Sequence, residues 1–154
     1  IAPSLNASNV VFRDLMTGKF PAVIRLTWGI VDVRDVALAH IRAMETPAAS
    51  GRYLCVAGTR TVADVTALLR RAGYDKGLPK FSLASPLGDA LTKGLSYLQP
   101  RDVGTYLRTH VGRDWGVDNG KITRELGMEF RAMDETILDA VKDMERWGHL
   151  PAKA

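Results

Sequence analysis

At 154 residues, 46% of them apolar and 25% charged, the chain has the make-up of one globular domain with room for a sizeable core. Nothing in it approaches the roughly 20 consecutive apolar residues that span a bilayer, and no secretory leader is apparent, so no membrane partner is expected. The net charge of +4 is spread rather than blocked: the densest basic stretch, residues 93–113, holds Arg101, Arg108 and His110 but also Asp102, and reads as a solvated face, with an anionic ligand as the minor alternative.

The aromatic residues do not alternate with basic ones, so nucleic acid is not an expected partner. Cys55 is the one cysteine. It has no internal disulfide partner, and a reducing cytoplasm is the expected compartment. The chain starts at Ile1 rather than Met, which suggests a processed or truncated piece.

Residues 1–8, with Pro3 and several small polar residues, read as a loop. Residues 9–16 form a short apolar helix closed by Thr17-Gly18. Pro21 opens an extended stretch over 22–26, with Val23, Ile24 and Leu26 as its apolar members. Residues 30–33 read as a second short strand. Asp32 then caps a helix that carries Asp35 near its positive end. Val33, Val36, Ala37, His40 and Met44 follow the spacing of a buried helical face. Thr46-Pro47 stops this helix.

Residues 53–57 are continuously apolar, as suits a strand covered on both faces of a parallel sheet. Thr61 and Asp64 make a capping-box pair for a helix over 62–72, with Val62, Val65, Leu68 and Leu69 inward. A short strand is expected at 81–83, and helices at 86–98 and 103–111. The glycines at 112, 116 and 120 break the next segment into turns. Gly120-Lys121 is followed by Ile122, which excludes a Walker phosphate loop. Asp118 is expected to cap a helix over 119–126 that Gly127 ends. Asp134 is expected to cap the last helix, 135–147, with Ile137, Val141 and Met144 as its stripe. Trp147 to Pro151 reads as a helix end packed on the core. Strands alternate with helices early and helices dominate later, so the expected fold is α/β with few strands, as a single region over 1–154.

Polar candidates have plain readings. Asp32 and Asp35 could be an acid–base pair, but their place at a helix start favours capping. His40 reads as a core histidine bonded to backbone. An apolar strand is a poor place to stabilise a Cys55 thiolate. The three histidines are not spaced as metal ligands, so no metal site is expected. Trp28, just before Gly29, is the aromatic most suspected of touching a substrate.

Four stretches in order carry a resemblance. They are Ala2-Pro-Ser-Leu-Asn-Ala-Ser8 leading to Met16-Thr-Gly18; Ile30-Val-Asp-Val-Arg-Asp-Val-Ala-Leu-Ala-His-Ile41; Pro47-Ala-Ala-Ser-Gly-Arg-Tyr53; and Asp118-Asn-Gly-Lys-Ile-Thr-Arg-Glu-Leu-Gly127 with Asp134-Glu-Thr-Ile137 after it. Together they resemble the C-terminal, substrate-binding half of the extended short-chain dehydrogenase/reductases, in the branch of dihydroflavonol reductase and cinnamoyl-CoA reductase. The resemblance implies a Rossmann-type parent about twice this long.

Its absent front half would hold the glycine-rich turn for NAD or NADP and the catalytic Ser, Tyr and Lys. Four residues after Tyr53, Tyr74, Tyr97 and Tyr106 stand Ala57, Leu78, Arg101 and His110, so this chain has no Tyr-x-x-x-Lys pair. The resemblance therefore implies no catalytic residue here and no activity for the chain alone. It implies a pocket for a small carbonyl substrate lined by Ser4, Asn6, Ser8, Ile24 and Gly29, with Ser8 also toward the cofactor. Residues 77–113 depart from the plant-type pattern, which leaves the substrate open. Two rival readings stand beside this one: a non-catalytic binding module kept from the reductase fold, and a piece of a sugar-nucleotide epimerase or dehydratase. If residues 53–57 belong to a sheet completed by the missing half, their exposed edge invites self-association.

Overall fold

In a computed structural model residues 4–151 are described. They form α1 (Ala7–Met16), β1 (Ala22–Val23), β2 (Thr27–Ile30), α2 (Val33–Glu45), β3 (Gly58–Thr61), α3 (Val62–Arg71), β4 (Phe81–Ser82), α4 (Pro86–Leu95), a 3-10 turn at Ser96–Leu98, α5 (Arg101–His110), α6 (Gly120–Leu126) and α7 (Met133–Arg146). The reading of Ala2 and Pro3 as loop lies outside the described residues. The α/β class with few parallel strands and a helical second half is what the chain adopts. β1 pairs with β4 in parallel, Ala22 opposite Phe81, and β2 pairs with β3 antiparallel, Thr27 opposite Thr61.

Two cores hold these elements. The larger one gathers Leu15 from α1, Val62, Val65 and Leu69 from α3, Ile137, Val141 and Met144 from α7, and Leu26, Val111 and Leu150 from connections. The smaller one joins Ala39 of α2 to Ile122, Leu126 and Met128, with Tyr53 and Cys55 at its margin. Where pattern and local chemistry agree, the expected elements form. Thr61 accepts from the Asp64 N–H while the Asp64 carboxylate accepts from the Thr61 N–H, completing the capping box of α3. Gly127 ends α6 with φ +59°, a left-handed conformation that glycine adopts without strain.

Other expectations are corrected. Residues 53–57 form no strand. Their apolar side chains flank the smaller core, and the hydrogen-bonded strand comes afterwards, at β3. The Ala57 N–H donates to the Ile30 carbonyl (2.9 Å), while Asn119 Nδ2 donates to the Val56 and Ala57 carbonyls at 2.9 and 3.4 Å. The strand expected at 30–33 is β2, Thr27–Ile30, because Asp32 already caps α2. Of the extended stretch 22–26, only Ala22–Val23 pairs.

α1 starts at Ala7, two residues early, because the Asn6 side chain accepts from the Asn9 N–H (2.9 Å). The helix expected over 86–98 tightens into a 3-10 turn after Leu95. The next begins at Arg101, directly after Pro100. α7 starts at Met133, so Asp134 lies in its first turn and pairs with Arg60 (3.1 Å) instead of capping. Asp118 accepts from the Gly120 N–H (2.8 Å), but the residue preceding α6 is Asn119. At the C-terminal end Leu150, rather than half-exposed Trp147, enters the core.

α2 is rotated from its expected orientation. Asp35 and Ala39 face inward, while Val33 is 78% and Met44 86% exposed and His40 is exposed too. The reason is ionic. Asp35 is buried, accepts from the Arg131 N–H (2.8 Å) and pairs with the Arg131 guanidinium. Arg42, on the same helix, donates to the Leu126 and Gly127 carbonyls (3.1 and 2.7 Å), tying α2 to the end of α6. His40 lies in no core; its Nδ1 is 2.8 Å from the Val36 carbonyl, which accepts.

Candidate functional site

β2 separates two environments because successive side chains in a strand point to opposite faces. Trp28 faces α1, where its ring meets Phe12 with centroids 5.8 Å apart. Thr27 and Gly29 face the other way, toward the segment after α5. The Thr27 hydroxyl lies 3.4 Å from Asp114 Oδ1. At Gly29 a side chain would meet the Trp115 ring and Val56 Cγ1, each at 3.3 Å. A glycine here lets an indole lie against the strand backbone.

Beside this contact lies an open cleft of about 670 Å³ lined by Thr109, His110, Arg113, Asp114 and Trp115. The lining combines an aromatic wall with a cation, a carboxylate, a hydroxyl and an imidazole. His110 stacks on Tyr106 one helical turn earlier, with centroids 4.2 Å apart, and its Nδ1 is 3.0 Å from the Tyr106 carbonyl. That contact fixes the ring.

The turn that brings residues 113–115 over β2 is held from below. Gly112 has φ +76° and its N–H donates to the Arg25 carbonyl (2.8 Å). A Cβ at Gly112 would run into the Asp89 carboxylate. Asp89 projects from α4, is 92% buried at its side chain and pairs with the Arg25 guanidinium. Asp89 Oδ1 and Arg25 Nε are buried without a hydrogen-bond partner among the described residues. The pair joins α4, the β1–β2 connection and the Gly112 turn.

The residues expected in the pocket are divided by β2. Asn6 caps α1, and Ser4 and Ser8 are exposed at its start. Ile24 is half-buried against the larger core. Trp28 is on the α1 side, and of the expected residues Gly29 adjoins Trp115. Periodicity does not single out His110, Arg113, Asp114 or Trp115: the first two belong to the basic stretch that reads as a solvated face, the others to the glycine-broken run of turns. The available signal was a tryptophan between Gly112 and Gly116.

The carboxylates at the start of α2 are structural. Asp32 accepts from the Arg34 N–H (2.8 Å), from Arg34 Nε and Nη2 (2.8 and 2.6 Å) and from the Thr136 hydroxyl (3.1 Å). The Arg34 guanidinium above all holds its carboxyl well below the usual range. Burial, then the nearby Asp35 charge, pushes the Cys55 thiol up, away from the thiolate a nucleophile needs. Among the described residues no three His, Cys, Asp or Glu side chains converge as metal ligands.

No family model matches the chain. Curated proteins do. Cinnamoyl-CoA reductase 1 of Arabidopsis thaliana is 32% identical over 150 residues, 97% of this chain and 37% of that protein. Ketoreductase azaE of Aspergillus niger is 35% identical over 147 residues, 92% of this chain and 37% of that protein. The crystal structure of gox2253 shares the fold, with a TM-score of 0.64 at 20% identity, covering 94% of this chain and 45% of that one. The fold is thus α/β, and the sequence is similar to the C-terminal part of cinnamoyl-CoA reductases and a ketoreductase, as a piece of an extended short-chain dehydrogenase/reductase would be. It spans a little over a third of the length of the curated relatives it matches.

Proposed function

We propose that this chain is the substrate-side wall of an NAD(P)-dependent reductase that acts on a carbonyl compound. The observation that carries this reading is the cleft beside Gly29, closed on one side by Trp115 and rimmed by His110, Arg113 and Asp114. The names of the relatives, cinnamoyl-CoA reductase and ketoreductase, support carbonyl reduction and favour it over epimerase or dehydratase chemistry. Within that class the substrate proposed is an aromatic carbonyl of the dihydroflavonol or phenylpropanoid kind, matched to the indole of Trp115. NAD or NADP would supply hydride, held mainly by the part of the relatives that this chain does not span. Ser8, with its exposed hydroxyl in the first turn of α1, is the side chain proposed to reach it from here.

The other half of such an enzyme is proposed to dock on the outward side of α2, through Val33, Ile41 and Met44, and along residues 53–57, where Leu54 is half-exposed. A reducing cytoplasm suits the lone free Cys55. No helix among the described residues is long and apolar enough to cross a membrane.

Tryptophan fluorescence titrated with aromatic aldehydes and ketones tests the site. The expected result is saturable quenching, lost in Trp115→Leu and weakened in Gly29→Val, whose branched side chain crowds the Trp115 ring. The same chain with NADPH and these carbonyls is expected not to turn over. Turnover by the chain alone, or saturable binding of nucleotide sugars in preference to aromatic carbonyls, would replace this reading.

A further inference from the structure

We propose that the outward face of α4 is a self-association surface on which a second copy of this chain packs about a two-fold axis. α4 sits in the fold with its polar side inward: Gly88, Asp89 and Thr92 are buried. Its leucines point away. Leu87 is 82% exposed, Leu91 49%, Leu95 50%, and Leu98 of the following turn 81%. The spacing i, i+4, i+8 and i+11 makes these one stripe, with exposed Ala90 and Gly94 between them.

The stripe itself carries no charged side chain, and the Arg108 guanidinium beside it is held over the Tyr97 ring and on the Ser96 hydroxyl. Between residues 81 and 100 the charged residues are Asp89, which is buried and paired with Arg25, and Lys93, which is half-buried. Depletion of charge at an apolar centre is the compositional mark of an interface.

Three features select the occupant. A two-fold axis lays the same surface on itself, so a charged face would repel its copy, whereas this one brings no like charges together. A lipid surface is favoured by free basic residues among the apolar ones; within the stretch only half-buried Lys93 is basic, and the neighbouring Arg108 is engaged by Ser96, Thr105 and the Tyr97 ring. Leu87 and Leu98 are about four-fifths exposed and Leu91 and Leu95 about half, a contiguous apolar stripe on the order of several hundred Å² per copy, the scale of a small self-complementary interface. The non-strand segment 53–57, with half-exposed Leu54, is the rival surface, but Asn119 Nδ2 already occupies its Val56 and Ala57 carbonyls. The two surfaces belong to different packing units: α4 packs chiefly on the 3-10 turn and α5, and α2 on α6.

Sedimentation velocity of the 154-residue chain from about 5 to about 500 µM, where an interface of this size would associate, tests the proposal. A reversible monomer–dimer equilibrium is expected. The double variant Leu87→Glu/Leu98→Glu is expected to weaken it by at least about tenfold, since buried unpaired carboxylates would face one another. Gly94→Arg is the second variant. A Cβ at Gly94 meets nothing within 4 Å, and replacing an exposed helical glycine favours the fold. Its melting temperature should rise while association falls, which a folding defect cannot produce. A chain that stays monomeric throughout overturns the proposal. So does a dimer that survives both variants but is lost in Leu54→Lys, or a monomer that binds phosphatidylglycerol vesicles through α4.

Discussion

α3 and α4 are both ten-residue helices, and each begins with a hydroxyl that accepts from the third N–H of the helix. α3 turns Val62, Val65, Leu68 and Leu69 into the larger core and exposes its arginine-bearing side. α4 buries Gly88, Asp89 and Thr92 and holds its leucines outward. Helical periodicity says that a stripe exists; it does not say which side of the helix meets the body of the protein. At α3 apolar burial decides the orientation. At α4 the buried Arg25–Asp89 pair decides it, because an unpaired buried charge costs more than an exposed leucine.

The comparison breaks most severely in α3. Leu69→Ala empties a fully buried site and should cost about 3 kcal/mol in urea denaturation, from lost transfer energy plus a cavity. The matching change at α4, Asp89→Ala, should cost about 2 kcal/mol, less than a fully buried pair because Arg25 is partly solvated. Arg25→Met with Asp89→Leu should recover most of that loss in a double-mutant cycle, since the pair already leaves two polar atoms unsatisfied.

The caps come next. Thr61→Ala should cost about 1 kcal/mol in thermal unfolding. Thr61 holds the Asp64 carboxyl below its ordinary value, and Arg34 does the same for Asp32. A depressed carboxyl stabilises the fold above its unfolded pKa and loses that contribution as pH falls through the folded one. Melting temperature should therefore drop below about pH 4, and the drop should be shallower in Thr61→Ala. The smallest effect is expected at Leu87→Ser, within about 0.5 kcal/mol of the parent chain, because the leucine is already in solvent.

The sequence made legible those elements whose signals are local and agree with one another. The Thr61–Asp64 box, the Ile137–Val141–Met144 stripe and the glycine stop at 127 need only neighbouring residues to act. Contacts between distant residues were not legible. The turn of α2 depends on Asp35 meeting Arg131, 96 positions away. Residues 53–57 have a strand's composition but form no ladder: the Ala57 N–H alone reaches β2, at the Ile30 carbonyl, and Asn119 takes up the Val56 and Ala57 carbonyls. The cleft depends on Trp115 lying against Gly29, a contact that no periodicity encodes. The resemblance points to Gly29 but not to the aromatic that lies over it.

Gly112 gives this region an evolutionary stiffness. Its backbone conformation suits glycine, and the space a side chain would need is filled by the Asp89 carboxylate, which is itself held by Arg25. Substitutions at positions 25, 89 and 112 are therefore expected to be coupled rather than independent. A side chain arriving at 112 must wait for a smaller residue at 89, which in turn strands the arginine. In a library randomised at all three, survivors should keep the trio intact or replace the charged pair together, with glycine retained at 112. In the same library, substitutions at Arg113 and Trp115 are expected to leave the turn beneath them intact and to be read in ligand binding instead.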